Sequence, residues 1–375
     1  MSVSGIYERY QRQMILKGFG VTAQDRLLRS RVLVIGAGGL GCPVLLYLGG
    51  AGVGEIGIVD DDRISIHNLH RQPIYTTAAV GRMKADAAAE TIRALNPDID
   101  VVSHPVRLTN AVCLDLFPRY NFIIDCSDNF ETRYMINDAC VLLGRPLVSG
   151  AVSQYEGQVS IFNVPTQDRP DPVNYRDMFP EPPVAGEVLN CADAGVLGSL
   201  PGVIGSMMAG ELVKLITGIG EPLVNRLLTY DMLQHRTYDV EISKRAAPAS
   251  MPSTIDDFLN TDYKWLCGWS AAVDEIDPET FNRLMGDPGT MIVDVRECSE
   301  MPEVTEFDHI KHPLGLIDNL TAGEGTHTVI FFCQSGKRSA EAVRNWKDAG
   351  GTIHKVYSLS GGILRWKAIN DTAHV

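Results

Sequence analysis

Three groups of residues in this 375-residue chain have the types and spacing to do chemistry. The first is Gly36-Ala-Gly38-Gly39-Leu-Gly41, between the apolar runs Val32 to Ile35 and Pro43 to Leu48. A strand, a glycine loop and a helix make the entry to a nucleotide site. Glycines let backbone N–H groups approach a phosphate, and a helix N-terminus adds partial positive charge. That spacing alone serves a tight structural turn equally well. The second group is Asp60, Asn68, Arg71, Lys84, Asp128 and Asn129. Asp60 follows a strand-like run, Glu55 to Val59, where a carboxylate suits ribose hydroxyls, so an NAD-dependent dehydrogenase is still permitted. Arg71 and Lys84 turn the reading toward ATP. Cleaving a triphosphate needs cations at the leaving pyrophosphate and a carboxylate, here Asp128, to hold magnesium. The third group is cysteine: Cys191, and Cys333 in the loop Cys333-Gln-Ser-Gly336-Lys-Arg338. Cys333 leaves a strand and opens onto a helix, where N–H groups and a helix N-terminus favour thiolate or persulfide. Taken singly, each cation reads as solvated surface charge and each thiol as a structural one; it is their company that points to chemistry.

The elements that must position them read as an α/β chain. Residues 6–29 form a helical arm. After the glycine loop and the second strand, a helix runs from Gly81 to Leu95 and ends at Asn96-Pro97. Strands follow at Asp98 to His104 and Asn121 to Cys126, then a helix from Glu131 to Leu143. Next come a strand from Arg145 to Ala151 and an alternating strand, Glu156 to Val164, that leaves the parallel set. Residues 165–190 are an irregular proline-rich loop ending at Cys191, and long loops in compact domains are often functional. A helix to Ile216 and a hairpin-like pair, Arg226 to Asp231 and Arg236 to Glu241, close a first domain, 1–245. Composition marks 246–272 as a linker. A smaller α/β domain, 273–375, follows, with strands Met291 to Val295, Thr328 to Phe332 and Ile353 to Tyr357, and a helix from Ser339 to Asp348. The fold class is α/β, with a mostly parallel Rossmann-like sheet carrying an antiparallel extension.

Composition excludes several classes. Hydrophobic content of 45% and charged content of 21% are those of a soluble globular protein. Net charge is −13. The split is 22 Lys/Arg against 27 Asp/Glu in residues 1–245, and 11 against 19 beyond, so neither part offers a basic nucleic-acid footprint. Val32 to Gly54 is 23 residues without a charge, long enough for a membrane span, but eight are glycine and one is Pro43. It reads as strand, turn and helix, and no membrane partner is expected. The eight cysteines include no C-x-x-C pair, which favours a reducing compartment. The N-terminus lacks the apolar core of a signal peptide, so the expected location is cytoplasmic.

Residues 7–241 resemble the ubiquitin-activating-type adenylyltransferases of the MoeB/ThiF/HesA family. The motifs are RYQRQ, VLVIGAGGLG, the DDD and HNLHRQ blocks, Lys84, DCSDN and NCADAGVLG around Cys191. The resemblance implies that Gly39, Asp60, Asn68, Arg71, Lys84, Asp128 and Asn129 line an ATP site. It also implies a homodimer in which Arg12 reaches the partner's phosphates. It implies further that a small ubiquitin-like carrier of the ThiS or MoaD type, ending in Gly-Gly, attacks the α-phosphate through its C-terminal carboxylate. That carboxylate has a pKa of about 3.5 and needs no general base. The second domain, through C-x-x-G-x-R, Asp294-Val-Arg296-Glu297 and Gly361-Gly362 with Trp366, is similar to rhodanese sulfurtransferases, although Cys298 to Ile310 departs from their spacing.

The expected enzyme adenylates the carrier. It then passes sulfur from a persulfide on Cys333 to give a thiocarboxylate for thiamine or molybdopterin synthesis. Arg338 would orient the loop, Cys191 would resolve or hold the intermediate, and a cysteine desulfurase would supply sulfur. Rival readings are an adenylating enzyme of another branch, such as a tRNA-modifying dehydratase or a protein-conjugating enzyme, and a scaffold with a degenerate site. The family commonly carries two C-x-x-C zinc pairs. Here Asn174 and Asp177 stand at the first, and the run KRAAPAS from Lys244 stands at the second. Zinc takes a full tetrahedral set of N and S ligands, so a zinc-free protein is expected. Elemental analysis of the purified protein is expected to find no stoichiometric zinc; one zinc per chain would overturn this.

Overall fold

The computed structural model describes residues 7–182, 195–248, 250–263, 274–297, 300–323, 325–348, 353 and 355–371. The chain divides into two compact units, with the boundary between Trp269 and Ser270.

In the first unit, the helix Gly20–Leu28 (α1) precedes the strand Arg31–Ile35 (β1). Then follow Gly41–Ala51 (α2), Glu55–Val59 (β2), Lys84–Leu95 (α3), Asp100–His104 (β3), Asn110–Leu116 (α4), Phe122–Asp125 (β4) and Phe130–Leu142 (α5). Leu147–Ser153 (β5), Glu156–Phe162 (β6), Ser199–Thr217 (α6), Arg226–Asp231 (β7), Arg236–Glu241 (β8) and Ile255–Asn260 (α7) complete it. One eight-stranded sheet has the order β3-β2-β1-β4-β5-β6-β7-β8. Pairings from β3 through β5 are parallel and those beyond are antiparallel. Both faces of its centre are covered, so β1 and β2 are buried almost throughout, as parallel strands require.

Register decides where a ligand can go. Ile35 pairs with Val59 on one side and Asp125 on the other, so β1, β2 and β4 end level. The chain crosses over between β1 and β4, and open α/β sheets bind ligands outside the strand carboxyl ends at such a switch point. The glycine loop, Asp60 and the segment 125–129 therefore leave the same edge. α6 is long and apolar enough to cross a membrane, but half of it is buried on α2 and the sheet, as a core helix is.

The segment expected to be linker is built partly into this unit. Thr254 caps α7, Phe258 is fully buried, and the Tyr263 hydroxyl donates to Asp138 Oδ2 at 2.8 Å. Its anchor is a buried ion pair. The Arg176 guanidinium donates through Nε and Nη2 to the two oxygens of Asp138, at 2.8 and 2.7 Å, and both side chains are almost fully buried. Arg176 also donates to Pro180 O and Ser250 Oγ. The polar residues 246–263 looked like linker because their anchoring partners lie far away in sequence.

The second unit is one five-stranded parallel sheet of order β11-β10-β12-β13-β9. Its strands are Glu275–Ile276 (β9), Thr290–Asp294 (β10), Ile310–Lys311 (β11), Thr328–Phe332 (β12) and Lys355–Leu359 (β13). Its helices are Pro278–Leu284 (α8), Lys337–Asp348 (α9) and Gly362–Asp371 (α10). The centre strand β12 is buried at every position and delivers Cys333.

Removing one member of a buried ion pair leaves an uncompensated charge, at a cost of about 3–5 kcal/mol. Asp138→Ala is expected to lower the unfolding free energy of the full chain by that amount in a denaturant titration.

Candidate active site

The glycine loop is shaped by contacts that no side chain would allow. Gly36 has φ +94°, and a Cβ there would lie 2.8 Å from Cys126 O. A Cβ on Gly41 would lie 2.0 Å from Gly36 O. Gly38 and Gly39 face Gln72 and Pro201 at ordinary to tight contact. The loop is also held from β2. Asp60 accepts N–H bonds from Ala37 and from Asp62, each at 2.8 Å. Burial pushes the Asp60 carboxyl up from the ordinary carboxylate range, against the opposing pull of the Lys84 ammonium.

Lys84 opens α3. The helix starts there and not at Gly81, because Met83 is still extended and Lys84 N–H donates to Asp62 O. Its side chain is 7% exposed and its ammonium sits 2.8 Å from Asp62 Oδ2, whose own side chain is 70% exposed. The cation is thus fixed under the loop by a partner that faces solvent. Asn68 is buried, with its Oδ1 taken by the Ser65 N–H. Arg71 follows one turn on, its guanidinium against His67 O and His70 Nε2. Burial first, and then the Arg71 charge, push the His67 imidazole down, which suits a neutral ring beside a cation. Across the crevice, Asp125 is fully buried and accepts from Ser127 N and Oγ, which folds the loop that presents Asp128. Asp128 is exposed; among the described residues its carboxylate takes a long 3.4 Å contact from Asn129 Nδ2. Asn129 itself caps α5 through the Thr132 N–H, so its oxygen is committed.

The rest of the expected residues divide clearly. Arg12 is exposed on the single turn Gln11–Met14, while its neighbour Tyr10 is buried and accepts from Asn96 Nδ2. Cys191 lies outside the described residues. Other thiols near the crevice are inert: burial pushes Cys42 up to about 12 and Cys126 far above the usual thiol range. Where zinc ligands would stand, Asn174 caps the turn Tyr175–Met178, and Asp177 accepts from Asn174 N and Arg245 N beside Lys244. That donor set does not suit zinc.

In the second unit Cys333 is 1% exposed at the end of β12. Gly336 N–H points at its sulfur from 3.2 Å. Gly336 has φ +94°, and Gly361-Gly362 pack beneath: a Cβ on Gly362 would meet Cys333 O at 2.5 Å. The helix begins at Lys337, so Arg338 lies in its first turn and not in the loop. Its guanidinium pairs with both oxygens of Glu300, which holds that carboxyl below its usual range. Arg296 and Asp294 form a buried bidentate pair that also ties to Pro302 O, a framework role for that motif.

Residues 10–250 match the ThiF family, and residues 277–369 match the rhodanese-like domain. The chain belongs to the ThiF family. A probable adenylyltransferase/sulfurtransferase MoeZ of Mycobacterium tuberculosis is 43% identical over 376 residues, covering 96% of this chain and 92% of that one. A sulfur carrier protein adenylyltransferase of Thermus thermophilus is 48% identical over 263 residues, 70% of this chain and 96% of that one. The adenylyltransferase and sulfurtransferase MOCS3 of Drosophila grimshawi is 36% identical and covers 96% of this chain and 83% of its own length. Among solved structures, PaaA superposes with a TM-score of 0.54 at 25% identity, over 65% of this chain and 76% of that one.

In this ThiF-family chain the sequence reading missed three supports. Tyr75 is buried, and its hydroxyl donates to Ala37 O at 2.8 Å with Lys84 O at 3.2 Å, so it ties the glycine loop to the lysine's own backbone. Burial pushes its phenol well up, keeping it a donor. Asp62 was read only as part of an acidic run. Arg133 braces the segment 125–129 from below, donating to Ser127 O and Gly150 O. Only Asp62 had a signal in the sequence, its place two residues after Asp60. Tyr75→Phe is expected to cost about 1–3 kcal/mol of stability, the toll of a buried carbonyl left short of a donor, and to weaken ATP binding. Denaturant titration with nucleotide calorimetry checks both.

Proposed function

We propose that this chain adenylates the C-terminal glycine of a ubiquitin-like sulfur carrier with ATP and then supplies it with sulfur from Cys333. The observation that carries the reading is a single sheet edge gathering a glycine loop, a buried lysine with a solvent-facing partner, an arginine and an exposed carboxylate. No base is needed, because the attacking carboxylate is ionised with a pKa of about 3.5. The catalytic load is positional and electrostatic. Loop N–H groups and Gly38 to Gly41 cradle phosphate, and Asp60 takes the ribose hydroxyls. Asn68, Arg71 and Lys84 bind the triphosphate as its α–β bond breaks. For Lys84 this means exchanging Asp62 for phosphate. Asp128, with Asn129 beside it, suits magnesium, which needs only a carboxylate or two and keeps its waters. The ion would neutralise charge on the phosphates.

Supporting the second half, Cys333 sits where the Gly336 backbone N–H points at its sulfur. The outer sulfur of its persulfide attacks the acyl carbon and AMP leaves. A second thiol then attacks Cys333 Sγ, releasing the carrier thiocarboxylate and leaving a disulfide that a thiol reductant reopens. Cys191 is the proposed second thiol. The sulfur source is a cysteine desulfurase, and the setting is the reducing cytoplasm. The active form is a homodimer in which Arg12 reaches the partner's phosphates. The product serves thiamine or molybdopterin synthesis.

The test is ATP–pyrophosphate exchange with magnesium, run separately with ThiS-type and MoaD-type carriers. Exchange with one carrier is expected, and it names the pathway; exchange with neither overturns the reading. Arg71→Ala and Lys84→Ala should each slow exchange by about 10²–10³-fold. Cys191→Ser should keep exchange and slow thiocarboxylate formation; an unaffected rate excludes Cys191 from the transfer.

A further inference from the structure

The two cations of the crevice are held differently. Lys84 is fixed by burial, whereas Arg71 is partly exposed, and among the described residues its contacts fall on a single nitrogen. Arg71 Nη1 lies 3.2 Å from His67 O and 2.9 Å from His70 Nε2. A guanidinium only donates, so His70 Nε2 accepts, and the ring is neutral with its hydrogen on Nδ1.

The other side of that ring is set by α6. A Cβ on Gly198, the residue before α6, would lie 2.6 Å from His70 O and 3.0 Å from His70 Nδ1. Gly198 has φ −56°, ordinary helical backbone open to any residue, so it is the closeness of His70 that requires a glycine there. Pro201, on the first turn of α6, packs against the glycine loop, where a Cβ on Gly39 would lie 3.1 Å from Pro201 Cβ. The start of α6 therefore touches the glycine loop and His70 together. One ring nitrogen of His70 is set against α6 and the other against Arg71.

We infer that His70 is a positioning residue for Arg71: its neutral imidazole accepts from Nη1 and holds the guanidinium so that the Nε and Nη2 edge meets the triphosphate. The inference rests on the reading of the first unit as an ATP-dependent adenylating enzyme.

The geometry suits the task. Nε and Nη2 form one of the parallel donor pairs by which arginine grips a phosphate, and the contacts on Nη1 leave that pair unused. An arginine carries much rotamer freedom, and a donor already oriented costs no rearrangement when charge develops on the leaving pyrophosphate. The arrangement also depends on pH. Protonating His70 removes the acceptor and sets a like charge beside the guanidinium, so Arg71 loses its alignment as pH falls. Among the described residues, the other groups on this segment are Arg71 and His67, and burial, with the Arg71 and Lys84 charges, pushes the His67 ring toward staying neutral. Across the cavity, Gly198, Ser199, Gly202, Val203, Ser206 and Met207 carry no charge.

The experiment measures the affinity of the full chain for magnesium-ATP by calorimetry from about pH 8 to about pH 5, the range in which histidine changes charge. The titration of ATP itself is common to all variants and cancels in their ratios. His70→Gln is the key variant, because a side-chain amide oxygen reaches as far as Nε2, accepts, and does not titrate. Parent and His70→Gln should bind alike at pH 8, and by pH 5 the parent should fall about fivefold behind, the upper end for an exposed charged contact. His70→Ala should bind about fivefold more weakly than the parent at pH 8, with a constant ratio to His70→Gln across the range. Thermal melts establish that the variants fold. If His70→Ala and His70→Gln both bind as the parent does at every pH, the positioning role is overturned. A parent that gains on His70→Gln toward acid overturns it as well, since His70 would then be a phosphate-binding cation in its own right. If Arg71→Ala binds magnesium-ATP as tightly as the parent, or the parent binds none, it is the reading of the nucleotide site that fails, and the proposal falls with it.

Discussion

Both units depend on one constraint: backbone must come closer to backbone than any side chain permits. Gly36 and Gly336 share the same left-handed φ of +94° at the first turn after a buried parallel strand. Behind each lies a second glycine whose Cβ would collide with a carbonyl, Gly41 against Gly36 O and Gly362 against Cys333 O. At each strand end a helix begins close behind the turn. One turn faces the place where phosphate would lie and the other faces sulfur. An N–H fixed in such a turn is already oriented, so it would meet negative charge without rearrangement.

Around these turns, buried charge is placed in two different ways. Arg176 with Asp138, and Arg296 with Asp294, are buried on both sides and doubly bonded, so neither partner has anywhere else to go. They lock distant segments together. Lys84 is buried, yet its partner Asp62 faces solvent, so the ammonium can exchange a carboxylate for an anion without itself being uncovered. Arg338 with Glu300 is intermediate, about a quarter exposed on each side. These pairs differ in the exposure of the partner, not in the distance between the charges.

The Arg176 and Asp138 pair shows how one deeply buried contact organises a periphery. It gathers α5, the turn Tyr175–Met178, Pro180, Ser250 and Tyr263 at one point. Asp177 beside it collects Asn174, Lys244 and Arg245. This cluster joins the start of the loop toward Cys191 to the segment that leads out of the first unit. Carboxylate and guanidinium supply here the cross-linking that a metal could otherwise supply.

The sequence alone determined a great deal. The glycine spacing and the apolar runs with their period specified a mostly parallel α/β sheet, with Asp60 and Asp128 following the carboxyl ends of its strands. Cys333 with its loop marked a second domain, which matches the rhodanese-like model. These signals are local, since a strand, a turn and a helix start are written in consecutive residues. What the sequence could not carry is whatever depends on residues far apart. It ended the first domain too early, because Phe258 and Tyr263 are buried by partners more than a hundred residues away. It began α9 two residues late and left Arg338 in the loop, because the pairing with Glu300 lies across the unit. Tyr75 and Arg133 read as ordinary core or surface residues. Only packing decides that a hydroxyl ends beneath a glycine loop, since hydrogen-bond partners are chosen in three dimensions and leave no period in one.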